Sequence, residues 1–358
     1  MTRVLVTGGA GFIGSCIVDQ LVKRGTDVVV LDNLSPAAHS ARPGYLNAAA
    51  EYVWGDVRDV AAWDRALDGV TAVCHQAGKV GLGVDFGDAT AYVDDNDVGW
   101  VVGLTALHQR GFTGRIVLAS SMVVYGEGRY RCAVDGIVRP GPRLLDDLDS
   151  GRFEPRCPLC SGVLDAEPIP EDAPLEPRNV YAATKLHQEH LTAAFAREHD
   201  VEACWLRYHN VYGPRMPRNT PYAGVASIFR SALERGEAPG VTEDGHQRRD
   251  FVHVGDVANA NVTALLGDTP IVGAVNIGSG TPRSVLQMAE GLAAAMGSIP
   301  GDERWPTVTG LYRLGDVRHV FASTATAADL HGLRPLMSFD DGMREFATAR
   351  LRESVNPS

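Results

Sequence analysis

A glycine-rich turn near the start of the chain restricts the fold more than any other feature of the sequence. Residues 3–6 form a short β-branched run, Gly9-Ala-Gly11-Phe-Ile-Gly14 follows it, and a helical pattern then continues to about Gly25. In such a strand–turn–helix unit, glycines permit a tight turn, close approach of backbone N–H groups to a pyrophosphate, and close packing of the helix on the strand. The motif therefore predicts a dinucleotide-binding α/β domain.

Strand and helix patterns alternate along the first 208 residues. The predicted strands are 3–6, 28–31, 51–54, 72–75, 115–119 and 203–208, with helices at 61–67, 96–109 and 181–198. Such alternation is typical of a doubly wound parallel sheet. We expect a Rossmann-type α/β cofactor domain at 1–208, interrupted by an insertion at about 127–177. A smaller α/β substrate-binding lobe is expected at 209–358, with some segments returning to the sheet.

Composition and charge exclude several other classes of protein. The 358 residues include 33 Lys and Arg against 44 Asp and Glu, a formal net charge of −11, so the summed field repels nucleic acid and anionic membranes. No apolar run approaches the roughly 20 residues that a membrane helix needs. The chain starts Met1-Thr2-Arg3 and enters a strand instead of a signal sequence, and it has only six cysteines. We expect a cytoplasmic protein with reduced thiols, whose anionic ligands are met by local arginines.

An acidic residue at the end of the second strand strengthens the dinucleotide prediction. Asp32 lies about 20 residues after the glycine turn, where a carboxylate accepts hydrogen bonds from ribose hydroxyls. The same charge repels a 2′-phosphate, and Asn33 and Leu34 supply no neutralising cation, so NAD is expected rather than NADP. Asp56 is a candidate acceptor for the adenine amine or, alternatively, the N-cap of the helix that begins near Val60. The other interpretation of the turn is that it only packs helix on sheet, with Asp32 a solvated strand end.

A serine, a tyrosine and a lysine occupy positions that suit acid–base chemistry beside the cofactor. Ser120 and Ser121 follow the strand at 115–119, so both hydroxyls are expected at the carboxyl end of the sheet. Tyr181 and Lys185 are four residues apart in a helical pattern and share a face, where an ammonium group stabilises a phenolate. Tyr181 is thus the candidate base near neutral pH. Each residue alone also fits a loop serine, a packed tyrosine or a solvated lysine.

Taken together, these residues resemble the extended short-chain dehydrogenase/reductases, and among them the NAD-dependent nucleotide-sugar epimerases. The resemblance covers almost the whole chain and implies a homodimer formed through the helices at 96–109 and 181–198. It rests on residues 7–14, Ser120-Ser121-Met-Val-Val-Tyr125-Gly126, Tyr181-x-x-x-Lys185, Arg207-Tyr-His-Asn210-Val-Tyr-Gly213-Pro, Arg249-Asp-Phe-Val-His253-Val-x-Asp256, Asn276-Ile-Gly-Ser-Gly280 and Arg313-Leu-Gly-Asp316.

The resemblance implies a role for each matching residue. Tyr181 would be the base, Lys185 would assist it and bind the nicotinamide ribose, and Ser121 would hydrogen-bond the reacting sugar oxygen. The implied cofactor ligands are Gly8, Gly11, Phe12, Ile13, Gly14, Asp32, Asn33, Asp56, Val57, Gln76, Ala77, Lys79, Asn96, Tyr181 and Lys185. The implied ligands of the nucleotide diphosphate sugar are Ser121, Asn210, Arg249, Arg313 and Asp316. The planar guanidinium group of an arginine can donate two parallel hydrogen bonds to a phosphate. For Arg249, a surface salt bridge with Asp250 is the alternative.

The residues after the candidate catalytic serine help to choose among the reactions of similar enzymes. Related dehydratases and decarboxylases carry Asp-Glu or Glu there, whereas Met122 and Val123 of this chain neither take nor give a proton. The resemblance therefore implies a nucleotide-sugar 4-epimerase that oxidises C4, lets the 4-keto sugar rotate and returns the hydride. A nucleotide-sugar dehydrogenase or 4-ketoreductase is the alternative, and a 4,6-dehydratase or decarboxylase is less favoured. A dinucleotide sensor without turnover has no need of the Tyr181 and Lys185 pair.

Three cysteines lie in the insertion, with the spacing of a metal site. Cys157-Pro-Leu-Cys160 reads like a zinc knuckle, and Cys132-Ala-Val-Asp135 has the same spacing with a carboxylate in the fourth position. The insertion has no histidine, so Asp135 would have to complete a set of four ligands. Free thiols in a knuckle-shaped turn are the alternative, and we assign no metal from the sequence. The insertion is similar to that of dTDP-L-rhamnose 4-epimerase-like family members, apart from Asp135, where His or Cys is expected.

Overall fold

Sixteen strands and ten α-helices lie in the described parts of the chain, residues 2–81, 86–218 and 224–352 of the computed structural model. The strands are β1 (Arg3–Thr7), β2 (Asp27–Asp32), β3 (Glu51–Trp54), β4 (Ala72–His75), β5 (Arg115–Ser121), β6 (Arg129–Cys132), β7 (Gly136–Val138), β8 (Leu164–Glu167), β9 (Ala203–Tyr208), β10 (Asn210–Tyr212), β11 (Gly240–Val241), β12 (Arg248–Arg249), β13 (Phe251–His253), β14 (Gly273–Ile277), β15 (Arg283–Ser284) and β16 (Thr307–Val308). The helices are α1 (Phe12–Lys23), α2 (Val60–Ala66), α3 (Ala89–Tyr92), α4 (Gly99–Gln109), α5 (Leu145–Asp149), α6 (Val180–His199), α7 (Val225–Glu234), α8 (Val254–Leu266), α9 (Val285–Ala295) and α10 (Phe339–Thr348). Short 3₁₀ helices cover Phe86–Asp88 and Met122–Tyr125, and π-helical turns cover Val93–Val98 and Thr326–Leu330.

The central sheet contains seven parallel strands in the order β14-β9-β5-β4-β1-β2-β3. The chain therefore builds outward from β1 in both directions, with β2 and β3 on one side and β4, β5, β9 and β14 on the other. In an open sheet of this kind, ligands bind outside the carboxyl ends of the strands where the direction reverses, here between β1 and β4. The doubly wound parallel sheet predicted from the sequence is confirmed.

Apolar side chains cover both faces of this sheet. On one face α1 and α8 pack against the strands, with Ile17, Leu21 and Val257 fully buried. On the other face α2, α4 and α6 pack, and their core includes Trp63 and Trp100. Full burial of one Leu or Ile side chain contributes about 1.5–3 kcal/mol. Coverage of both faces explains why the inner strands are continuous apolar runs instead of alternating patterns.

The second half of the chain builds a smaller lobe around α7, α9 and α10. Its buried side chains include Phe229, Met288, Leu292 and Phe346. β10 follows β9 almost directly and pairs with β13, while β14 returns to the central sheet and pairs with β9. In this half of the chain, α8 packs on the central sheet and β14 is one of its strands. The division into domains at 1–208 and 209–358 therefore stays a prediction. No helix in the described part of the chain is long and apolar enough to span a bilayer.

A small antiparallel sheet lies between β5 and α6, within the segment predicted as an insertion. Its strands have the order β7-β6-β8. The buried core of this unit consists of Tyr130, Cys132, Val138, Cys157 and Leu164. A core of five side chains is too small to stabilise such a unit alone, so the insertion depends on further contacts.

Several predicted elements agree with the observed ones at both ends. The strands predicted at 51–54, 72–75 and 203–208 coincide with β3, β4 and β9. β5 differs, because its pairing with β9 continues as far as Ser121, opposite Tyr208. Ser120 and Ser121 are therefore strand residues, and consecutive strand residues point to opposite faces of a sheet.

Candidate active site

The glycine turn after β1 forms a cradle that side chains would fill. Gly8 has a φ of +66°, and a Cβ atom there would lie 2.7 Å from the backbone nitrogen of Ala77. A Cβ atom on Gly14 would collide with the Gly8 carbonyl oxygen. α1 then begins with no capping side chain and no acidic residue in its first turn, which leaves the N–H groups of Phe12 and Ile13 and the positive end of the helix dipole for an anion. The cradle therefore fits a dinucleotide pyrophosphate.

Asp32 ends β2 beside this cradle, as predicted from its spacing. Its carboxylate oxygens accept hydrogen bonds from the backbone N–H groups of Ala10 at 3.0 Å and Leu34 at 2.8 Å. These bonds fix the position of the Asp32 carboxylate at the carboxyl end of β2. Asp32 is also almost completely buried. Each oxygen has a further lone pair, so Asp32 can also accept from ribose hydroxyls.

Asp56 follows β3 and is already engaged by its neighbours. The Arg58 guanidinium, 2.8 Å away, lowers the pKa of Asp56 to about 2. Asn33 also donates a hydrogen bond to Asp56 at 3.0 Å, which brings two predicted cofactor ligands together. α2 is capped by Asp59, whose side chain accepts from the Ala61 N–H group at 3.0 Å. The alternative in which Asp56 caps that helix is therefore wrong.

The segment after β4 crosses the same end of the sheet and is held by two side-chain amides. Gln76 donates to the Tyr208 hydroxyl at 3.1 Å. Asn96 accepts from the Lys79 N–H group at 2.7 Å and donates to the Thr184 hydroxyl at 2.9 Å. Both amides thus position this segment through contacts within the protein. Their predicted contact with the cofactor stays a prediction.

The two serines at the end of β5 have different partners. Ser121 lies close enough to Tyr181 for its hydroxyl to lower the pKa of the phenol, and its side chain caps the 3₁₀ helix that follows β5. Ser120 is buried and donates to the Glu189 carboxylate at 2.5 Å. The Ser120 hydroxyl is thus engaged within the protein, and the expectation that both hydroxyls lie beside the cofactor stays a prediction.

Tyr181 and Lys185 lie one turn apart on α6, but their protonation differs from the prediction. The Lys185 ammonium group donates to the Ala119 carbonyl and to Gln188, both at 3.0 Å, and burial lowers the pKa of Lys185 to about 8. Burial also raises the pKa of Tyr181 to about 12, although the hydrogen bond with Ser121 acts in the opposite direction. Burial thus keeps the Tyr181 phenol protonated in the protein alone, and the assistance of Lys185 to the phenolate stays a prediction.

A buried polar network behind these residues was not predicted. Glu189 on α6 accepts two hydrogen bonds from Arg207 on β9, at 3.0 and 2.8 Å. Arg207 also donates to the Tyr125 hydroxyl at 2.9 Å, which in turn donates to Asn276 on β14 at 2.8 Å. The network fixes α6 against the sheet and so positions Tyr181. The sequence does indicate part of this network, because Glu189 lies eight residues after Tyr181 and hence on the same helix face.

Arg249 on β12 presents an unneutralised guanidinium group on the substrate side. It donates to the carbonyl oxygens of the preceding residue and of residues 317–318, at 2.7–2.9 Å. Burial lowers the pKa of Arg249. None of the salt bridges within the described ranges includes Arg249, and Asp250 accepts instead from the backbone at 279–280. The alternative of an Arg249–Asp250 salt bridge is therefore wrong.

The other predicted substrate ligands lie on neighbouring segments. Asn210 on β10 is opposite Phe251 of β13, and its side-chain oxygen is buried with no hydrogen-bond partner in the described part of the chain. Arg313 is exposed, and it acts together with Arg249 to lower the pKa of Asp316, although burial raises that pKa more strongly. An unsatisfied buried acceptor and two arginines suit a polar, anionic ligand, but the meeting of these residues in one ligand site stays a prediction.

Buried ion pairs join the insertion to this substrate-side segment. Arg318 is completely buried and pairs with Glu154 of the insertion at 2.6 Å and with Glu243 of the lobe at 2.8 Å. Arg143 of the insertion pairs with Glu243 at 2.8 Å and donates to the Asp316 carbonyl at 2.7 Å. Sequence reasoning missed these residues, because the partners are far apart along the chain and follow no motif.

The cradle, Asp32 and Ser121 lie at the carboxyl ends of strands of the central sheet, and Tyr181 lies near Ser121 at the start of α6. The cofactor ligands predicted at the carboxyl ends of β1, β2, β3 and β4 are Gly8, Gly11, Asp32, Asn33, Asp56, Val57, Gln76 and Ala77. A dinucleotide cradle next to a phenol, a hydroxyl and a buried lysine suits transfer of a hydride and a proton at an alcohol carbon. The fold and the site thus define an oxidoreductase-like enzyme of the short-chain dehydrogenase/reductase type.

Comparison with known proteins identifies the family. The model of the NAD dependent epimerase/dehydratase family matches residues 4–138 and 161–278. The chain is 36% identical to the dTDP-L-rhamnose 4-epimerase of Burkholderia thailandensis, over 97% of this chain and 94% of the relative. The crystal structure of the Thermus thermophilus UDP-glucose 4-epimerase in complex with NAD has a TM-score of 0.76 at 30% identity and covers 97% of this chain and 98% of its own. The Thermotoga maritima UDP-glucose 4-epimerase with UDP-glucose has a TM-score of 0.77 at 28% identity, with 97% of each chain covered.

The chain belongs to the NAD-dependent epimerase/dehydratase family. This membership confirms the predicted Rossmann-type fold, the dependence on NAD and the assignment to an enzyme family. The individual site residues stay predictions, supported by the geometry described above. The family match omits residues 139–160, which lie within the insertion.

Proposed function

We propose that this protein is an NAD-dependent nucleotide-sugar 4-epimerase in which Tyr181 is the acid–base residue. The observation that carries the proposal is the position of Tyr181 at the start of α6, with Lys185 one turn away and the Ser121 hydroxyl close enough to lower the pKa of the phenol. The two hydroxyls can together hold the oxygen of a sugar alcohol. The 4-epimerases among the relatives, at 28–36% identity over nearly the whole chain, support the same reaction.

The cradle and the strand ends hold the cofactor in this proposal. The N–H groups of Phe12 and Ile13 bind the pyrophosphate, and Asp32 accepts from a ribose hydroxyl. The negative charge of Asp32 disfavours the 2′-phosphate of NADP. Bound NAD supplies a hydride acceptor that later returns the hydride.

The chain's own residues manage the proton. Tyr181 takes the proton of the C4 hydroxyl as the hydride leaves, and it returns a proton when the hydride comes back, so no net oxidation occurs. Ser121 holds the reacting oxygen through its hydroxyl. Since burial alone raises the pKa of Tyr181 to about 12, the positive charge of Lys185 is needed to favour the phenolate during turnover.

The residues after Ser121 argue against elimination. Met122 and Val123 open the 3₁₀ helix at the end of β5, and neither can move a proton to or from a second carbon of the sugar. A dehydrogenase or 4-ketoreductase would use the same catalytic residues, but it would consume or release reduced cofactor. Epimerisation is the reaction that needs no further group and no external reductant.

The substrate is proposed to be a nucleotide diphosphate sugar. Arg249 and Arg313 supply the positive charge that the acidic chain needs to bind a diphosphate, and Asn210 offers an unsatisfied buried amide. Asp316, on the segment held by the insertion, is a hydrogen-bond acceptor for a sugar or ribose hydroxyl.

One assay tests the proposed reaction and the alternatives together. The purified protein, without added cofactor, is incubated with a panel of dTDP- and UDP-sugars that begins with dTDP-L-rhamnose and UDP-glucose. We expect one substrate to give an isomer of equal mass, separable by chromatography, without accumulation of NADH. A product lighter by water or carbon dioxide, or stoichiometric formation of NADH, would overturn the 4-epimerase assignment.

A homodimer in the cytoplasm is proposed for the assembled protein. The outer faces of α4, of the π-helical turn before it and of α6 expose apolar and small side chains that suit a four-helix contact between two copies, among them Val98, Val101, Ala183 and Ala194. Replacement Val101→Glu should convert the dimer to a monomer in light scattering, whereas Val272→Glu, at an exposed site outside these helices, should not. A wild-type protein that is monomeric at micromolar concentration would contradict this part of the proposal.

A further inference from the structure

Four side chains of the insertion bring potential metal ligands to one spot. One ligand atom from each of Cys132, Asp135, Cys157 and Cys160 lies within 4.8 Å of all the others. An Asp135 carboxylate oxygen is 3.3 Å from the Cys132 sulfur and 3.1 Å from the Cys157 sulfur. The sulfurs of Cys132 and Cys160 are 3.5 Å apart. The 21 residues 136–156 separate Cys132 and Asp135 from Cys157 and Cys160 along the chain, but the pairing of β6 with β8 brings the two pairs together.

These distances are close to the edges of a zinc tetrahedron. With Zn–S bonds of about 2.3 Å and Zn–O bonds of about 2.0 Å, tetrahedral geometry places two sulfurs about 3.8 Å apart and a sulfur and an oxygen about 3.5 Å apart. A disulfide would need two sulfurs at about 2.05 Å, and all three cysteines have free thiols. Three thiolates and one carboxylate also suit zinc in ligand softness.

The backbone that carries Cys157 and Cys160 forms a tight turn. Ser161 adopts a φ of +60° and donates its N–H group to the Cys157 carbonyl at 2.9 Å. The Cys157 N–H group donates to the Gly162 carbonyl at 2.9 Å, which closes the turn from the other side. This turn brings the two sulfurs of the pair to one side of the insertion, where they meet Cys132 and Asp135.

The small size of the insertion gives such a site a physical purpose. The three strands have only three or four residues each, and two of the five side chains in the core are Cys132 and Cys157. A unit with so little apolar burial usually needs a disulfide or a metal to hold one structure. Among the described residues, no cationic side chain forms a salt bridge with Asp135, so the carboxylate has only thiols as partners.

We propose that Cys132, Asp135, Cys157 and Cys160 bind one structural Zn²⁺ ion that fixes the fold of the insertion. Four protein ligands fill the tetrahedral positions and leave none for a substrate. The inference does not follow from family membership, because Cys157 and Cys160 lie in the segment that the family match omits. Through Arg143 and Glu154 the insertion supports the segment carrying Asp316, so the ion stabilises the substrate side of the site from outside it.

The first test measures metal content without any turnover. Untagged protein purified under reducing conditions is expected to contain one zinc ion per chain by mass spectrometry of its metals. Cys157→Ser and Asp135→Ala should lose the zinc ion, whereas Asp135→His should keep it because imidazole is a common zinc ligand. The matched controls Cys16→Ser and Asp165→Asn should have the zinc content of the wild type. Bound NAD and a normal circular dichroism spectrum identify variants that remain folded.

A second measurement is independent of any variant. Wild-type protein stripped of metal by a chelator should bind Co²⁺ with the intense visible bands and the thiolate charge-transfer band of a tetrahedral site. The proposal would be overturned if the wild type neither contained nor took up Zn²⁺ or Co²⁺. It would also be overturned if Cys157→Ser kept the metal, or if peptide mass analysis found a Cys132–Cys160 disulfide. Because these readouts require no substrate, they stand apart from the outcome of the epimerase assay.

Discussion

The cofactor side and the substrate side of this molecule are held together by different forces. On the cofactor side, apolar side chains cover both faces of the sheet, and the dinucleotide cradle consists of backbone that lacks side chains. On the substrate side, small cores are joined by buried ion pairs, in which Arg318 is the central cation. We therefore expect the cofactor side to be disrupted by side chains added to the cradle or by changes in the groups that accept hydrogen bonds there. The substrate side should instead be destabilised by the loss of a single charged side chain.

The largest effect is expected where the two regions meet. Tyr181→Phe removes the acid–base hydroxyl and should lower kcat by about 10²–10⁴-fold, which is the usual contribution of a general base. NAD content and unfolding temperature should stay unchanged, because no backbone or ion pair is altered. The control Tyr52→Phe removes a hydroxyl that only donates to the Asn47 carbonyl and should keep full activity. Undiminished turnover by Tyr181→Phe would show that another group is the base.

The charged side of the comparison is tested by Arg318→Ala. Its removal takes away one of the two arginines that pair with the buried Glu243, and also a partner of Glu154 and Asp244, so the free energy of unfolding should fall by about 1.5–3 kcal/mol. Arg334→Ala, which breaks an exposed pair with Asp329, should cause no measurable change in urea denaturation. Equal stability of the two variants would mean that the buried ion pairs do not hold the insertion and the lobe together.

The cofactor side is tested by Asp32→Asn. Loss of the charged acceptor should weaken NAD binding roughly 10–100-fold, since a hydrogen bond to a charged group contributes about 1.5–3 kcal/mol. Asp27→Asn lies at the opposite end of the same strand, pairs with Arg3 and should bind NAD normally. Isothermal titration calorimetry of the stripped proteins measures both values. Normal NAD affinity of Asp32→Asn would contradict the proposed hydrogen bond between Asp32 and a ribose hydroxyl of NAD.

The smallest effect concerns the pH dependence of the catalytic pair. The pKa of Tyr181 is about 12, so kcat/KM should rise with pH as more phenolate forms. Lys185 has a pKa of about 8, so above that pH the loss of its positive charge opposes the gain and the profile should level off. Lys185→Met should be slow but should show no such break, whereas Arg318→Ala should keep the wild-type shape. A wild-type profile that is flat below pH 8 would contradict these protonation states.

The comparison also explains how much the sequence could predict. The glycine turn, Asp32 and most strands of the sheet were found correctly, because each follows from local spacing and from runs of apolar residues. The extension of β5 through Ser120 and Ser121 and the different partners of the two serines were not predicted, because the end of β5 is set by its pairing with β9.

Electrostatic features were the least accessible to sequence reasoning. The raised pKa of Tyr181 results from burial by distant segments, which spacing along α6 does not reveal. The ion pairs of Arg318 and Arg143 join residues that are about 75 to 165 positions apart, so no local pattern marks them. The convergence of the four insertion ligands, by contrast, was suggested by their knuckle spacing and depends on the pairing of β6 with β8.

The central claim is that hydrogen leaves C4 of the sugar as a hydride and returns to the same carbon within one active site. The substrate identified by the panel is prepared with deuterium at C4, and the mass of the isomeric product is measured after turnover in ordinary water. The account predicts that the product keeps the deuterium at C4. Loss of the label to solvent, or its appearance in released NADH, would contradict the account.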